Sequence, residues 1–314
     1  AFRNAHLLSL ADEVQLEFSK KGKPMLHRNA VQQVREAAAG EHDREKKRYL
    51  ELSRPFLHDL GVTDKQQALI PAMSRKWKQI NKFIEVFSHA FSSVALPAGQ
   101  PVRVADFGSG KGYLTFAIHD YLSNTLQRPA QVTGVELRAD MVELCNKAAS
   151  HLEHPGLVFE QGDVRSVVPA QIDVMIALHA CDIATDYAIH TGIRCGAAII
   201  MCSPCCHKQI RPQLHSPGLL KPMLQYGLHL GQQAEMLTDS LRALYLEACG
   251  YDTKVFEFIS LEHTNKNKMI LATKRKEAGD PAALLAKIAE LKAFYGVSEH
   301  CLETLLRADG LIGG

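Results

Sequence analysis

The stretch Val102-Arg103-Val104-Ala105-Asp106-Phe107-Gly108-Ser109-Gly110-Lys111-Gly112 decides how the chain is read. Its first six residues are a short apolar run closing on an acid, and three alternating glycines follow. The run predicts a buried strand. The glycines let the backbone turn sharply and approach a ligand closely, and the helical pattern that begins at Tyr113 places open amide groups just behind them. Outward from this point the same apolar grammar recurs at 131–137, 157–161, 172–178 and 197–202, with helical segments at 113–122 and 139–151. Short apolar runs alternating with helices predict parallel strands buried on both faces, hence a doubly wound sheet. A helix at 237–249, strands at 254–260 and 268–274 that form a terminal hairpin, and helical patterning over 281–308 complete this half.

Upstream, Leu7, Leu10, Val14 and Phe18 recur at three- to four-residue spacing and predict a helix that Gly22 and Pro24 end. Further helices are expected at 29–52, with a charged stretch at 41–48, and at 77–91, where Trp77 packs the helix onto the sheet. Two prolines and a glycine in 96–101 suggest a linker. The expected organisation is a helical N-terminal region over 1–95, a sheet domain over 96–275 and a helical C-terminal extension over 276–314.

The 314 residues, 46% hydrophobic and 22% charged, have the composition of an ordinary globular protein. No run reaches the roughly 18–20 apolar residues of a membrane helix, and no charged-then-apolar leader opens the sequence, so a cytoplasmic protein without a membrane partner is expected. Residues 1–95 hold 16 Lys and Arg against 11 Asp and Glu, or +5, leaving 20 against 23, or −3, for the remainder. The basic front suits nucleic acid phosphates or a merely solvated surface. Five of eight cysteines, Cys181, Cys195, Cys202, Cys205 and Cys206, fall within 26 residues, which marks a site and not a disulfide framework.

A dinucleotide loop would read G-x-G-x-x-G; this one reads G-x-G-x-G behind an acid and is similar to the cofactor loop of class I methyltransferases. That resemblance implies S-adenosyl-L-methionine as cofactor. Its methionine end would lie against Asp106, Gly108, Ser109, Gly110, Gly112 and Tyr113. Glu136, with Leu137 beside it at the second strand end, would take the ribose hydroxyls. Asp163, with Val164, would accept the adenine amino group, and Leu178 and His179 would close the site from the fourth strand. Strand-end carboxylates also cap helices, so their force lies in three of them at consecutive strand ends.

The fourth and fifth strands run into Leu178-His179-Ala180-Cys181-Asp182-Ile183-Ala184-Thr185-Asp186 and Cys202-Ser203-Pro204-Cys205-Cys206-His207-Lys208. With Gly-Ser-Gly-Lys-Gly-Tyr-Leu at 108–114 and Met73-Ser74-Arg75-Lys76 upstream, these runs resemble the methyltransferase-like protein 25 family. Related motifs occur in the glutathione-S-transferase C-terminal-domain-containing protein and in tRNA 2′-O-methyltransferases of the acceptor stem. The resemblance covers about residues 73–275. It implies a Rossmann-like seven-stranded class I methyltransferase sheet, methyl transfer and an RNA substrate such as tRNA or rRNA. Residues 1–72 lack the cysteines with which the tRNA enzymes build zinc modules, so their way of holding tRNA does not carry over.

Active sites of open parallel sheets lie at the carboxyl ends of the strands, which places both runs at the methyl group. His207 or Asp182 could act as base for an attacking hydroxyl or amine. Cys205 or Cys181 could add to a ring as a nucleophile. Cys202, Cys205, Cys206 and His207 could bind metal, but close zinc ligands are usually two or more residues apart and adjacent cysteines on a strand point in opposite directions, so no metal is expected. Cys195 and Cys202 are expected to pack as small apolar groups. Asp186 is expected to start the helix after strand four. Lys266 and Asn267 sit where such enzymes touch substrate or form an ordinary turn.

Overall fold

The computed structural model describes residues 4–8, 12–19, 22–30, 49–167, 169–178, 180–215, 218–258, 267–277 and 279–313. They fall into two compact units, 1–48 and 49–314.

Among its described residues the first unit holds strands where a helix was expected. Strands β1 (Asn4–Leu8), β2 (Asp12–Phe18) and β3 (Pro24–Ala30) form an antiparallel sheet in that order. Val14, Leu16 and Phe18 alternate with Glu13, Gln15 and Glu17, a period of two that the wider spacing of Leu7, Leu10, Val14 and Phe18 conceals. Gly22, at φ 75°, closes the turn between β2 and β3 by donating to the Ser19 carbonyl. The helix expected at 29–52 lies mostly outside the described residues; Asn29 and Ala30 belong to β3, and residues 49–52 are not helical.

In the second unit the strands are β4 (Val102–Phe107), β5 (Ala130–Glu136), β6 (Leu157–Gln161), β7 (Val174–Ala177), β8 (Ile199–Cys202), β9 (Tyr251–Glu257) and β10 (Lys268–Lys274). Their order is β6-β5-β4-β7-β8-β10-β9, with β4 to β8 mutually parallel and β10 antiparallel to both β8 and β9. The expected seven-stranded α/β sheet is thus present. β9 lies three residues earlier than its expected position, and β7 and β8 are shorter than their apolar runs.

Successive strand residues serve opposite faces. Val104, Val174, Ile176, Ile199 and Met201 belong to one core with helices α1 (Pro55–Asp59), α2 (Ser74–Ser93), α3 (Tyr113–Asp120) and α4 (Ala139–His151). Ala105, Phe107, Met175, Ala177, Ile200 and Cys202 belong to the other core. That second core packs against α5 (Ile183–Arg194), α7 (Gly227–Ala248), α8 (Pro281–Tyr295) and α9 (Cys301–Ala308), and the short α6 (Lys221–Leu224) precedes α7.

Two expected boundaries move. Residues 49–95 are part of the sheet unit, because Phe56, Trp77, Ile80, Phe83 and Phe87 fill the same core as β4 and β5. The 276–314 segment also belongs to it: Gly296, at φ 70°, ends α8, and α8 and α9 pack on α7 and α5. No helix among the described residues is long and apolar enough to cross a membrane.

Phe83→Ala tests the revised boundary. Truncation of this fully buried ring should lower the main unfolding free energy by about 3–5 kcal/mol in chemical denaturation. An unchanged main transition would return 49–95 to the status of an appendage.

Candidate active site

The loop after β4 needs its glycines. Gly108, Gly110 and Gly112 have φ of 78°, 55° and 69°, in the left-handed region that costs other residues energy. A Cβ on Gly112 would stand 2.9 Å from the Phe159 ring. Gly108 N and Ser109 N donate to the Val135 carbonyl at 2.8 and 3.1 Å, bracing the loop on β5. Gly110 N donates to Glu136 Oε2 at 2.8 Å and Arg138 N donates to Glu136 Oε1 at 3.1 Å. Among the described residues each Glu136 oxygen accepts one bond and keeps one further acceptor site, the arrangement that a pair of vicinal hydroxyls requires.

Glu136 lines a cavity of about 460 Å³ with Gly108, Gly110, Leu137, Asp163, Val164 and Arg165. Its opposite wall comes from Ala180, Cys181, Ile183, Ala184 and Tyr187. Leu137 and Ile183 are 67% and 38% exposed, so the cavity presents apolar side chains to a ligand. The α5 wall was not anticipated, although Ile183 and Tyr187 stand one helical turn apart and share a face.

The other expected contacts divide. Leu178 is buried in the core, Ser109 and Gly112 in the loop and Tyr113 just after it do not line the cavity, and His179 is outside the described residues. The Lys76 ammonium sits 5.2 Å from the centre of the Tyr113 ring, which ties the Met73–Lys76 motif to the start of α3.

Asp163 lines the cavity but its carboxylate is already engaged. Oδ1 accepts from Arg165 N at 2.8 Å and Ser166 N at 3.0 Å; Oδ2 accepts from Arg165 Nε at 2.9 Å and Nη2 at 2.5 Å. These donors, led by the Arg165 side chain, hold the carboxyl down at about 2. Four donors fill the lone-pair sites of a carboxylate, so the expected adenine contact requires the exposed Arg165 to swing away.

Asp106 is 4% exposed beneath the loop and does not line the cavity; Thr115 donates to its Oδ2 at 2.6 Å. Burial pushes its carboxyl up to about 6, with the Thr115 bond opposing and the Glu136 charge adding. A cation above the loop would favour the ionised form, which suits an indirect contact with an ammonium group.

On the far side, His207 Nε2 lies 3.2 Å from Asp239 Oδ1, both buried. Arg242 sits between Asp239, at 3.6 Å, and Asp186, to which it donates twice at 2.9 and 2.7 Å. Asp186 does not start the helix as expected: α5 begins at Ile183, three residues earlier, and the Asp186 carboxylate, within the first turn, belongs to this ion pair. A second cavity of about 580 Å³ is lined by Cys206, His207, Lys208, Arg211, Leu228, Glu235 and Lys268. Asp182 serves here as a clamp: its Oδ1 accepts from Lys208 N at 2.8 Å.

The cysteines are arranged otherwise than the sequence suggested. Residues 203–207 follow β8 in irregular backbone, so Cys205 and Cys206 do not point apart; their Sγ atoms are 3.6 Å from each other. The Cys181 Sγ joins them, all three lying within 4.8 Å. The hydrogen bond of the neutral Cys181 thiol with Cys206, followed by burial and the Cys205 charge, pushes the Cys181 thiol up to about 12. Cys202 is fully buried on the sheet and Cys195 half-buried, in keeping with packing roles. Asn267 accepts at its carbonyl from Phe258 N at 2.7 Å, and Lys266 is outside the described residues.

Residues 75–213 match a family model described as a methyltransferase domain. Over those residues the chain is similar to methyltransferase domains, for which S-adenosylmethionine is the expected cofactor. The cofactor cavity fits that ligand in the two open acceptors of Glu136 and in its size, within the range of small-molecule sites. Curated relatives include the glutathione S-transferase C-terminal domain-containing proteins of Homo sapiens and Mus musculus, 26% and 25% identical over 221 residues, 63% of this chain. The chain spans about a third of their length, 33%. Solved structures with some likeness include a protein of Methanococcus maripaludis described as a putative S-adenosyl-L-methionine-dependent methyltransferase, with TM-score 0.40 and 11% identity over 67% of this chain and 91% of that one. TYW2 of M. jannaschii in complex with AdoMet has TM-score 0.36 and 12% identity over 61% and 74%.

Asp106→Asn separates binding from stability. A buried aspartic acid raised from 3.8 to about 6 costs no stability below pH 3.8, and its cost grows as pH rises through that window and is complete above about 6. The variant should therefore be more stable than the parent at pH 7, by up to about 3 kcal/mol, in thermal denaturation. It should bind S-adenosylmethionine more weakly by calorimetry, and the parent should lose affinity as pH falls through about 6.

Proposed function

We propose that the protein transfers the methyl group of S-adenosylmethionine to RNA. The observation that carries this reading is the second cavity, whose Cys206 thiol lies within 4.8 Å of the Cys181 thiol on the cofactor cavity, and which bears Lys208, Arg211 and Lys268 against the single acid Glu235, itself paired with Lys268. A site with that excess of cations suits a substrate that brings phosphates. The motif resemblance to the methyltransferase-like protein 25 family and to acceptor-stem tRNA 2′-O-methyltransferases supports the same substrate class.

The cofactor supplies a methyl group on a sulfonium when bound. The residues of the chain do the rest. Glu136 and the glycine loop orient the nucleoside and methionine ends, while Lys208 and Arg211 hold phosphate on the acceptor side. His207, fixed through Nε2 by Asp239, keeps its other ring nitrogen for the proton of an attacking hydroxyl. Asp182 positions the segment carrying His207 by accepting from Lys208 N.

Incubation of the protein with radiolabelled S-adenosylmethionine and fractionated cell extract should put label into RNA. Label confined to protein or small molecules, or absent altogether, would overturn the substrate reading. RNA affinity measured by filter binding should fall steeply with salt, and Arg211→Glu should weaken it at least tenfold. Glu136→Ala should remove binding of S-adenosylhomocysteine in calorimetry. His207→Ala should retain that binding while lowering turnover about 10²–10⁴-fold.

A further inference from the structure

We propose that Cys181, Cys205 and Cys206 hold a zinc-type divalent cation, with its fourth coordination position open where the two cavities meet. The inference stands on the thiol geometry and holds whatever the methyl acceptor is. Three thiol sulfurs within 4.8 Å of one another, two of them 3.6 Å apart, surround a point that a tetrahedral ion would occupy. Zinc–sulfur bonds of about 2.3 Å place neighbouring thiolates about 3.8 Å apart in a tetrahedron. Three protein ligands with one position open are the pattern of a reactive zinc centre, whereas structural centres close all four.

The cluster is assembled by the fold. Cys181 comes from the end of β7 and Cys205 and Cys206 from the end of β8, the two strands whose carboxyl ends frame the crevice. Asp182 holds the segments together. Its backbone takes φ 53°, a left-handed conformation that costs a non-glycine residue energy, and from there its carboxylate accepts from Lys208 N and its carbonyl from Arg242 Nη2. The strained residue therefore sits directly beside one thiol and is bonded two and three residues from the others. Without a cation the crowding of three sulfurs keeps them as protonated thiols, because thiolates this close would repel one another; with one, each sulfur gives up its proton and becomes a ligand. Cys181 lines the cofactor cavity and Cys206 the second cavity, so the open position can meet a thiol, hydroxyl or ring nitrogen of an acceptor.

The test uses the full chain without an affinity tag, reduced and handled without oxygen. Titration with zinc in competition with a chromophoric chelator should give one equivalent bound per chain, with proton release. Cobalt(II) in place of zinc should give thiolate-to-metal charge-transfer absorption and the visible bands of a tetrahedral ion. Cys181→Ser, Cys205→Ser and Cys206→Ser should each weaken zinc binding by more than the roughly 10–100-fold caused by removing a group that only supports a ligand. Cys249→Ser, outside the cluster, should leave it unchanged, and circular dichroism should show each variant folded. Folded wild type without a stoichiometric thiolate-bound metal would overturn the proposal. So would full affinity in Cys206→Ser, or a reduced protein that takes no zinc while mild oxidation consumes two thiols of the cluster, which would make them a redox pair.

Discussion

A buried guanidinium sets the acceptor side of this molecule. Arg242, on α7, is 1% exposed and lies between Asp186 of α5 and Asp239 one turn back on its own helix. Such an ion pair adds little net stability over well-packed apolar residues, yet removing one partner strands a charge in the core at a cost of about 3–5 kcal/mol. Its larger effect is positional. Arg242 also donates to the Asp182 carbonyl, and Asp239 passes the constraint to His207. One side chain thereby fixes the segments after β7 and β8 on the helix that walls the second cavity.

On the cofactor side the constraint is backbone conformation. Three left-handed glycines let the loop fold back so that two amides reach the Val135 carbonyl and a third reaches Glu136. The cofactor half is therefore set by main-chain geometry and the acceptor half by a charged network. The thiols of Cys181, Cys205 and Cys206 stand where these two halves meet.

The sheet was legible in the sequence because a strand buried on both faces, as β4 is, must be almost wholly apolar, and because the edge strand β6 and the hairpin strand β10 still carry short apolar runs: all three lie where those runs lie. Glu136 and the glycine loop were legible for a related reason, since strand ends and glycine spacing are local signals. What failed was either non-local or two-fold in meaning. Val14, Leu16 and Phe18 belong to a period of two inside a spacing that also suits a helix, and only pairing with β3 decides between them. Asp163 looked like a ligand for adenine because nothing in the sequence shows that Arg165, two residues on, folds back on it. The part played by Arg242 could not be foreseen, since its partners lie 56 residues apart in sequence in one case and one helical turn away in the other. Cys205 and Cys206 were judged as strand residues, and β8 ends before them.

Asp182 carries two demands that different residues would meet separately. Its backbone, at φ 53° and ψ −122°, is easiest for glycine and strained for any residue with a side chain, while its bond to Lys208 N needs a side-chain oxygen. Glycine would ease the turn and lose the clamp; glutamate would keep a carboxylate and worsen the turn; asparagine keeps both in weaker form. Among divergent descendants of this chain, the range of acceptable letters at 182 is accordingly narrow for reasons unrelated to proton transfer. Invariance there would record architecture, and reading it as the mark of a catalytic acid would mistake a hinge pin for a tool.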